Sequence, residues 1–322
     1  MTLVTRTRRA VFGISPDEVH VTRCGFHVYD FATASRLERI GAEFLVGFHA
    51  ALEESSIEGL ASRLHTQVNT EFLGFGFEGA GMGLMLLDRI HLERGSFGRF
   101  LTGPGSPHAY MVHVGAGWAF ARLPWLRRRL DRALESLDPL LRWLAVDGYG
   151  FHEGYFHWPE SIQKCRVPDF VSGYVQRAFD QGLGRSLWFV EGVHPERVSA
   201  AIARFSQARR ADLWAGVGLA CAYAGGADQA AIVKLQELAG RHASGLAQGA
   251  AFAAEARRRA GNPMPHCDLA CRVLCGMSAE EASRIPREEL AGLPQNGMEP
   301  AYEVWRQRVR HRLAVRTERI PA

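Results

Sequence analysis

Lysine is almost missing from this chain of 322 residues, because only Lys164 and Lys234 among its 38 basic residues are lysines. The net charge is only +4, and the arginines form no basic groove interleaved with aromatic residues, so nucleic-acid binding is not expected. No apolar run approaches the ~20 residues that are needed to span a bilayer. The basic N-terminus is not followed by the apolar segment of a signal peptide. We therefore expect a cytoplasmic protein, in which the six cysteines are reduced thiols.

Charged residues are also few, at 22% of the chain, whereas 47% of the residues are hydrophobic. This balance excludes a disordered protein and favours a large buried core. The arginines cluster in three short runs, at residues 6–9, 127–132 and 306–312. These runs indicate either solvated helix faces or a docking surface for an acidic protein such as a carrier domain.

Glycine is abundant, and much of it occurs as Gly-x-Gly or Gly-x-Ala pairs at a nearly constant spacing of 33 to 36 residues. The first glycines of the six pairs are Gly79, Gly115, Gly148, Gly182, Gly216 and Gly249. A period in this range is typical of stacked helical hairpins. The sequence therefore predicts an all-α helical-hairpin repeat with about six repeats of ~34 residues, either a tetratricopeptide-like α-solenoid or a partial α/α toroid.

The same pattern predicts how one compact unit is organised along the chain. An N-terminal arm with amphipathic helices covers 1–70, six α-hairpin repeats cover 71–277, and C-terminal capping helices cover 278–322. Within the arm, residues 19–21 and 26–29 resemble short strands, and 33–54 has the apolar spacing of an amphipathic helix. Residues 95–107 are rich in Gly, Ser and Pro and predict an ordered loop.

Paired glycines inside helices need a physical reason, because each one costs up to ~1 kcal/mol relative to alanine. Positions i and i+2 lie on nearly opposite sides of a helix, so a pair allows close backbone approach on both sides. A remaining face, at i−1 and i+3, would line a concave groove. Its members include Glu78, Trp118, Asp147, Phe151, Gln181, Arg185, Gln248 and Phe252. They predict a groove for an elongated, flat, largely apolar ligand; the alternative is that they pack against loops or satisfy helix ends.

The third repeat departs most from the others, because His152 occupies a position where they have Gly, Ala or Ser. His152 is either a general acid or base, or a buried histidine that bonds to a neighbouring carbonyl. On a continuous helix, His152 and His157 would lie 140° apart, so no metal site is expected there. Glu153 and His157 have the spacing of an i, i+4 pair.

Two further patterns leave alternatives open. Arg185 stands where other repeats have apolar residues, and it either anchors a carboxylate or phosphate or bridges to Asp147 or Glu78 on neighbouring helices. Cys267, Cys271 and Cys275 share one side of a helix. That row favours structural packing over metal or cluster binding, because cysteine behaves as a small apolar residue.

Several long strings carry a resemblance that covers about residues 10–312. They are VFGISPDEV at 11–19, YMVHVGAGWAFARLP at 110–124, LDPLLRWLAVDGYGFHEGYFHW at 137–158, RAFDQGLGRSLWFVEG at 177–192 and RRADLWAGVGLACAYAGG at 209–226. The chain resembles an uncharacterised bacterial protein family encoded in enediyne polyketide biosynthetic gene clusters. The resemblance implies an accessory protein that acts with the enediyne polyketide synthase, or with its carrier domain and other accessory proteins. It implies no catalytic residue, and the cofactor stays unknown.

Together these observations give a functional hypothesis: the protein binds a linear polyene polyketide and assists or catalyses its conversion toward the enediyne core. In this hypothesis Asp147, His152 and Glu153 supply acid and base groups. Arg185 and Gln181 orient the ligand, with Glu78 and Gln248 on the same face, and Trp118, Phe151 and Phe252 stack on it. The alternative is a non-catalytic helical-repeat scaffold that links the synthase with other accessory proteins.

Overall fold

The structure is a computed structural model that describes residues 3–90, 92, 94–123, 125, 129–294 and 297–317. Those residues form seventeen α-helices and no strand, which confirms the predicted all-α fold. The helices are α1 Leu3–Phe12, α2 Val21–Cys24, α3 Phe31–Glu53, α4 Ile57–Gln67, α5 Leu73–Arg89, α6 Ser96–Thr102, α7 Ala109–Arg122, α8 Leu130–Glu135, α9 Arg142–Phe156, α10 Gly173–Val190, α11 Pro195–Ala203, α12 Gln207–Ala224, α13 Gln229–Ala239, α14 Ala243–Arg259, α15 Pro265–Cys275, α16 Ala279–Glu288 and α17 Ala301–Thr317.

Seven of these helices, α3, α5, α7, α9, α10, α12 and α14, pack side by side in chain order, and we call them the inner helices. The glycine pairs lie at their contacts. A Cβ atom on Gly182 would stand 1.8 Å from the Asp147 carbonyl oxygen of the preceding inner helix. One on Gly184 would stand 2.1 Å from the Leu213 carbonyl oxygen of the following one. The predicted close approach on both sides is therefore confirmed.

The row of inner helices begins earlier than the predicted repeats and curls back on itself. A Cβ on Gly79 of α5 would stand 2.0 Å from the Phe44 carbonyl oxygen, so α3 is already a member. At the other end, the Tyr223 ring of α12 meets the Phe75 ring of α5 edge-on, with centroids 5.3 Å apart. Arg257 of α14 donates to the Glu71 carbonyl oxygen at 3.2 Å. This curling corresponds to the toroidal alternative, with side chains filling the middle.

The strands that were predicted at 19–21 and 26–29 are wrong. Residues 21–24 form the short helix α2, and the peptide nitrogen of His27 donates to the Val190 carbonyl oxygen at 2.8 Å instead of to a neighbouring strand. The apolar residues of this segment, such as Val21 and Phe26, are buried against the inner helices. Their spacing therefore reflects packing on a helical surface rather than an alternating strand pattern.

The loop predicted at 95–107 is also wrong in its larger part, because α6 and a 3-10 turn at Ser106–His108 occupy it. The carboxylate of Asp88 accepts hydrogen bonds from the peptide nitrogens of Ser96 at 3.0 Å and Phe97 at 3.1 Å. An acidic side chain on the first peptide nitrogens of a helix satisfies donors that would otherwise be unpaired. Asp88 lies eight residues before the start of α6, so the composition of residues 95–107 alone did not reveal that a helix is capped there.

The last helix, α17, packs on the inner helices with several of its side chains buried among them. Tyr302, Trp305 and Arg306 of α17 are 3%, 1% and 0% exposed. The arginine run at 306–312 is thus partly internal, and its member Arg312 pairs with Glu288 at 2.6 Å. Of the predicted C-terminal region, residues 318–322 lie outside the described residues, as do Arg127 and Arg128 of the second run.

The cysteine row on α15 packs against α14, as predicted. Cys267, Cys271 and Cys275 are buried, and the Cys275 thiol donates to the Ala247 carbonyl oxygen at 3.3 Å. Within the described part of the chain, no helix combines the length and the apolar character that crossing a membrane requires.

Candidate functional site

An aromatic cavity of about 40 Å³ lies inside the ring, beneath residues 14–19. Its lining comes from residues 14–19 and from five inner helices: Ile14, Glu18, Val19, Ile40, Gly41, Phe44, Leu45, Phe75, Glu78, Trp118, Phe151, Tyr155, Phe156 and Phe189. The aromatic rings touch one another; Trp118, for example, lies 4.7 Å from Phe44 and 5.3 Å from Phe151 between ring centroids. Such a surface favours a flat, unsaturated apolar ligand.

Glu78 is the fully buried carboxyl group in this aromatic wall. It accepts a hydrogen bond from the indole nitrogen of Trp118 at 3.0 Å, and the guanidinium of Arg185 stands 4.0 Å away. Burial raises the pKa of Glu78 to about 7, although the charge of Arg185 opposes the shift. A carboxyl with a pKa near neutrality can both give and take a proton at physiological pH, which is the property of a general acid or base.

Arg185 sits behind this wall and bridges to Asp147, as one of the two sequence-based alternatives foresaw. Its guanidinium forms a buried ion pair with Asp147, and it lies over the Phe151 ring at 4.9 Å from the centroid. Gln181 donates to the second oxygen of Asp147 at 2.8 Å. We call Glu78, Asp147, Gln181 and Arg185 the inner cluster. Since both oxygens of Asp147 accept hydrogen bonds from its neighbours, Asp147 is poorly placed to act as a base.

A second cavity, of about 30 Å³, lies on the opposite side of the inner cluster, beneath α17. Asp147 and Arg185 line it, together with Tyr110, Met111, Val114, Leu144, Leu219, Tyr223, Phe252, Ala253, Ala256, Tyr302 and Trp305. Phe252 meets the Trp305 ring edge-on at 4.6 Å, so it packs against the C-terminal helix and not in the aromatic cavity.

The third-repeat residues form a separate cluster at the end of α9. The Nδ1 atom of His152 lies 3.4 Å from one oxygen of Glu153, and Nδ1 of His157 lies 3.2 Å from the other. Burial lowers the pKa of His152. Burial would raise the pKa of Glu153, but its hydrogen bonds to His152 and His157 outweigh that effect and lower it to about 2. The predicted pair of Glu153 and His157 is confirmed, and His152 bonds to a carboxylate rather than to a carbonyl.

His152 and His157 do not lie on one continuous helix, so the predicted separation of 140° between them is wrong. Helix α9 ends at Phe156, and His157 follows with φ −123° and ψ 31°. One ligand atom from each of His152, Glu153 and His157 lies within 4.8 Å of the others.

The ten residues predicted for the site are therefore divided among different surroundings. Glu78, Trp118 and Phe151 line the aromatic cavity, while Asp147, Arg185 and Phe252 line the second one. Gln181, His152, Glu153 and Gln248 line neither. Gln248 is 1% exposed, and its Oε1 atom has no hydrogen-bond partner among the described residues.

Several residues of the two cavities were not predicted. Phe44, Phe75 and Phe189 come from the inner helices, and Tyr155 lies four residues after Phe151, so helical spacing alone could have placed it beside Phe151. Tyr302 and Trp305 had no usable signal, because amphipathic spacing does not tell whether a terminal helix packs inside or outside a ring.

Comparison with protein families gives one finding. The family model described as "Protein of unknown function (DUF1702)" matches residues 3–313, which is nearly the whole chain. Comparison with the curated proteins and with the solved structures gave no match.

Proposed function

The chain belongs to the DUF1702 family of proteins of unknown function, and we propose that it binds an elongated unsaturated hydrocarbon chain in the aromatic cavity. The proposed ligand is a linear polyene of polyketide origin, and the protein assists its conversion toward an enediyne core. The observation that carries the proposal is an almost wholly apolar, aromatic lining that surrounds one carboxyl group with a pKa of about 7. The resemblance to proteins of enediyne gene clusters supports the choice of a polyene.

Glu78 takes the acid-base role in this proposal, in place of Asp147, His152 and Glu153. Glu78 is one of the residues that line the aromatic cavity, whereas His152 and Glu153 are not. Asp147 is held by Arg185 and Gln181 on the other side of the cluster. Proton transfer to or from a conjugated chain requires a group that titrates near the working pH, and Glu78 meets that requirement.

Access to the cavity depends on the N-terminal segment, residues 3–24. About 40 Å³ holds only a few water molecules, so a polyene requires the cavity to open. Ile14, Glu18 and Val19 of this segment form one wall. The inner helices meet at backbone contact and cannot separate without losing those contacts, so in this proposal the N-terminal segment moves and the ring does not.

The first test is to purify the protein after co-expression with its cognate polyene-forming synthase, and to record the visible absorbance and the mass of the extracted ligand. We expect a bound polyene in the native protein and a reduced amount in Ile40→Trp, which fills the cavity. Leu37→Trp, which is on the same helix and similarly buried but outside the aromatic lining, is the control for the overpacking cost of about 1–3 kcal/mol. Equal polyene in both variants would contradict the cavity as the binding site.

A second test addresses the N-terminal segment. A Cβ atom on Gly41 would stand 3.0 Å from Cβ of Val19, about 0.5 Å below the range of Cβ–Cβ separations in disulfides, so a small shift of residues 14–19 brings the two positions into that range. In Val19→Cys/Gly41→Cys we expect oxidation to abolish polyene uptake and reduction to restore it, so the same sample is its own control. Unchanged uptake in the oxidised form would exclude opening at this segment.

The small volume of the cavity is also what favours the alternative, a non-catalytic scaffold that links the synthase with other proteins. A colourless, ligand-free protein that still co-purifies with the synthase supports that alternative. Under it, substitutions of exposed arginines weaken co-purification more than Ile40→Trp does.

A further inference from the structure

We propose that His152, Glu153 and His157 bind one divalent transition-metal ion at the carboxyl end of α9. This site is independent of the proposed polyene ligand, since none of the three residues lines the aromatic cavity.

The distances between the donor atoms fit such an ion. Metal–ligand bonds of about 2.1 Å at tetrahedral to octahedral angles place neighbouring donor atoms about 3.0–3.4 Å apart. Nδ1 of His152 lies 3.4 Å from Glu153 Oε1, and Nδ1 of His157 lies 3.2 Å from Glu153 Oε2. All three donor atoms fall within 4.8 Å of one another. Binding therefore requires only a rotamer adjustment that draws the two imidazoles together around the carboxylate.

The end of α9 makes this arrangement possible and holds it in place. His157 is the first residue after the helix, with φ −123° and ψ 31°, and its imidazole contacts Glu153 one turn earlier. The hydroxyl of Ser161 donates to the carbonyl oxygens of Glu153 and His157, each at 3.0 Å. The indole of Trp158 donates to the Cys24 carbonyl oxygen at 2.9 Å. The backbone that presents the donors is thus fixed by neighbours on both sides.

Two imidazoles and one carboxylate form a donor set suited to Zn²⁺ or Fe²⁺, and three protein ligands leave positions for water or another ligand. The side chain of His157 is 51% exposed, which gives an ion access from solvent, whereas that of His152 is 7% exposed. The His152 ring meets the rings of Trp118 at 5.5 Å and Phe156 at 4.9 Å. Since both rings line the aromatic cavity, the proposed ion stands behind its wall.

The test is titration of the full-length, chelator-treated protein with Co²⁺, followed by calorimetry and by visible absorption, which reports the coordination geometry directly. We expect one tightly bound ion in the native protein and at least a tenfold weaker affinity in His157→Ala. Ser186 of α10 is the residue that corresponds to His152 in the next repeat. We therefore expect the variant His152→Ser to fold and to lose the metal site as well.

A matched control is His194→Ala. His194 is another half-exposed histidine that pairs with a carboxylate, Glu196, at 3.1 Å, but it is not part of a three-residue group of possible ligands among the described residues. We expect this variant to bind Co²⁺ as the native protein does and to retain the rise in Tm that a bound ion confers. Equal Co²⁺ affinity in the native protein, His157→Ala and His152→Ser would overturn the proposal, as would a loss of affinity in His194→Ala of the same size.

Discussion

Arg185 and Arg306 are both buried among carboxylates, yet their partners are satisfied to very different degrees. Arg306 of α17 donates to Asp212 at 2.7 Å and to Glu303 at 3.0 Å. Arg177 donates to the same two carboxylates, at 3.1 Å and 2.8 Å, and we call these four residues the cap cluster. In the inner cluster, by contrast, Arg185 pairs with Asp147 and stands 4.0 Å from Glu78.

This difference separates a structural cluster from a candidate functional one. In the cap cluster each carboxylate has at least two arginine partners, and Arg306 and Arg177 outweigh the effect of burial and lower the pKa of Asp212. In the inner cluster burial raises the pKa of Glu78 to about 7, because the single arginine is shared with Asp147 and does not outweigh that effect. Perturbed carboxyls beside a cavity are what active sites contain, while fully paired ones hold elements together.

The largest effect is expected in the cap cluster. Arg306→Met leaves Asp212 and Glu303 with Arg177 as their shared partner inside the protein. We expect the free energy of unfolding, measured by urea denaturation, to fall by about 3–5 kcal/mol. As a control, Arg284→Met removes an arginine from an exposed pair with Glu280 and is expected to change it by less than about 1 kcal/mol.

A smaller loss is expected for Asp212→Asn, because an amide accepts from one arginine but turns a donor toward the other. We expect the free energy of unfolding at pH 7 to fall by about 1.5–3 kcal/mol. The pKa of Asp212 is lower in the folded protein than in the unfolded chain. The native protein is therefore more stable than this variant at any pH above the pKa of the unfolded chain, and the difference in the free energy of unfolding disappears as the pH falls through the pKa of the folded state. An unchanged stability at pH 7 would remove the distinction between the clusters.

The matching change in the inner cluster, Glu78→Gln, is expected to have the opposite sign. Its amide oxygen can still accept from Trp118, and it carries no buried charge. The folded pKa of Glu78 is raised from 4.5 to about 7, so native stability is lost as the pH rises through about 7. We expect Glu78→Gln to be more stable than the native protein by about 1–3 kcal/mol at pH 8, and equally stable near pH 4.5. Denaturation at both pH values measures this, and destabilisation at pH 8 would contradict it.

The smallest effect is expected where the inner cluster meets α17. The amide of Gln181 lies 3.4 Å from the Tyr302 hydroxyl, which is long for a hydrogen bond. We expect Tyr302→Phe to reduce the free energy of unfolding by less than about 1 kcal/mol. We also expect Glu78→Gln to change stability at pH 8 and near pH 4.5 by the same amounts whether or not Tyr302 is replaced. A loss above about 2 kcal/mol would mean that α17 supports the inner cluster directly.

The side-by-side packing of the inner helices could be predicted from sequence because its cause is local. A glycine pair on opposite sides of one helix requires a close neighbour on each side, and Gly182 with Gly184 meets both. The bridge from Arg185 to Asp147 was among the sequence-based alternatives for the same reason, since repeat spacing places the two on adjacent helices. Residues at equivalent positions of the repeats therefore lie close together on neighbouring inner helices.

The features that could not be predicted lie where the chain departs from the repeat pattern. The insertion of α17 rests on Arg306 meeting Asp212, 94 residues earlier, and no spacing rule connects them. The approach of His157 to His152 depends on the helix ending one residue before His157. Residues 19–29 resembled strands because the burial of Val21 and Phe26 against other helices mimics the alternating pattern of a strand.

The glycine contacts also mean that different atoms determine the spacing of the inner helices and the shape of the space that they enclose. Where a carbonyl oxygen would stand about 2 Å from an added Cβ atom, the spacing of two helices is set by their backbones and not by side chains. The circumference of the ring is then fixed by how many helices it has. Side chains that project inward, such as Trp118, Phe151 and Phe189, set the width and shape of the opening independently. The size and shape of the cavity can therefore be changed by exchanging these rings for smaller or larger ones, while the spacing of the inner helices stays the same.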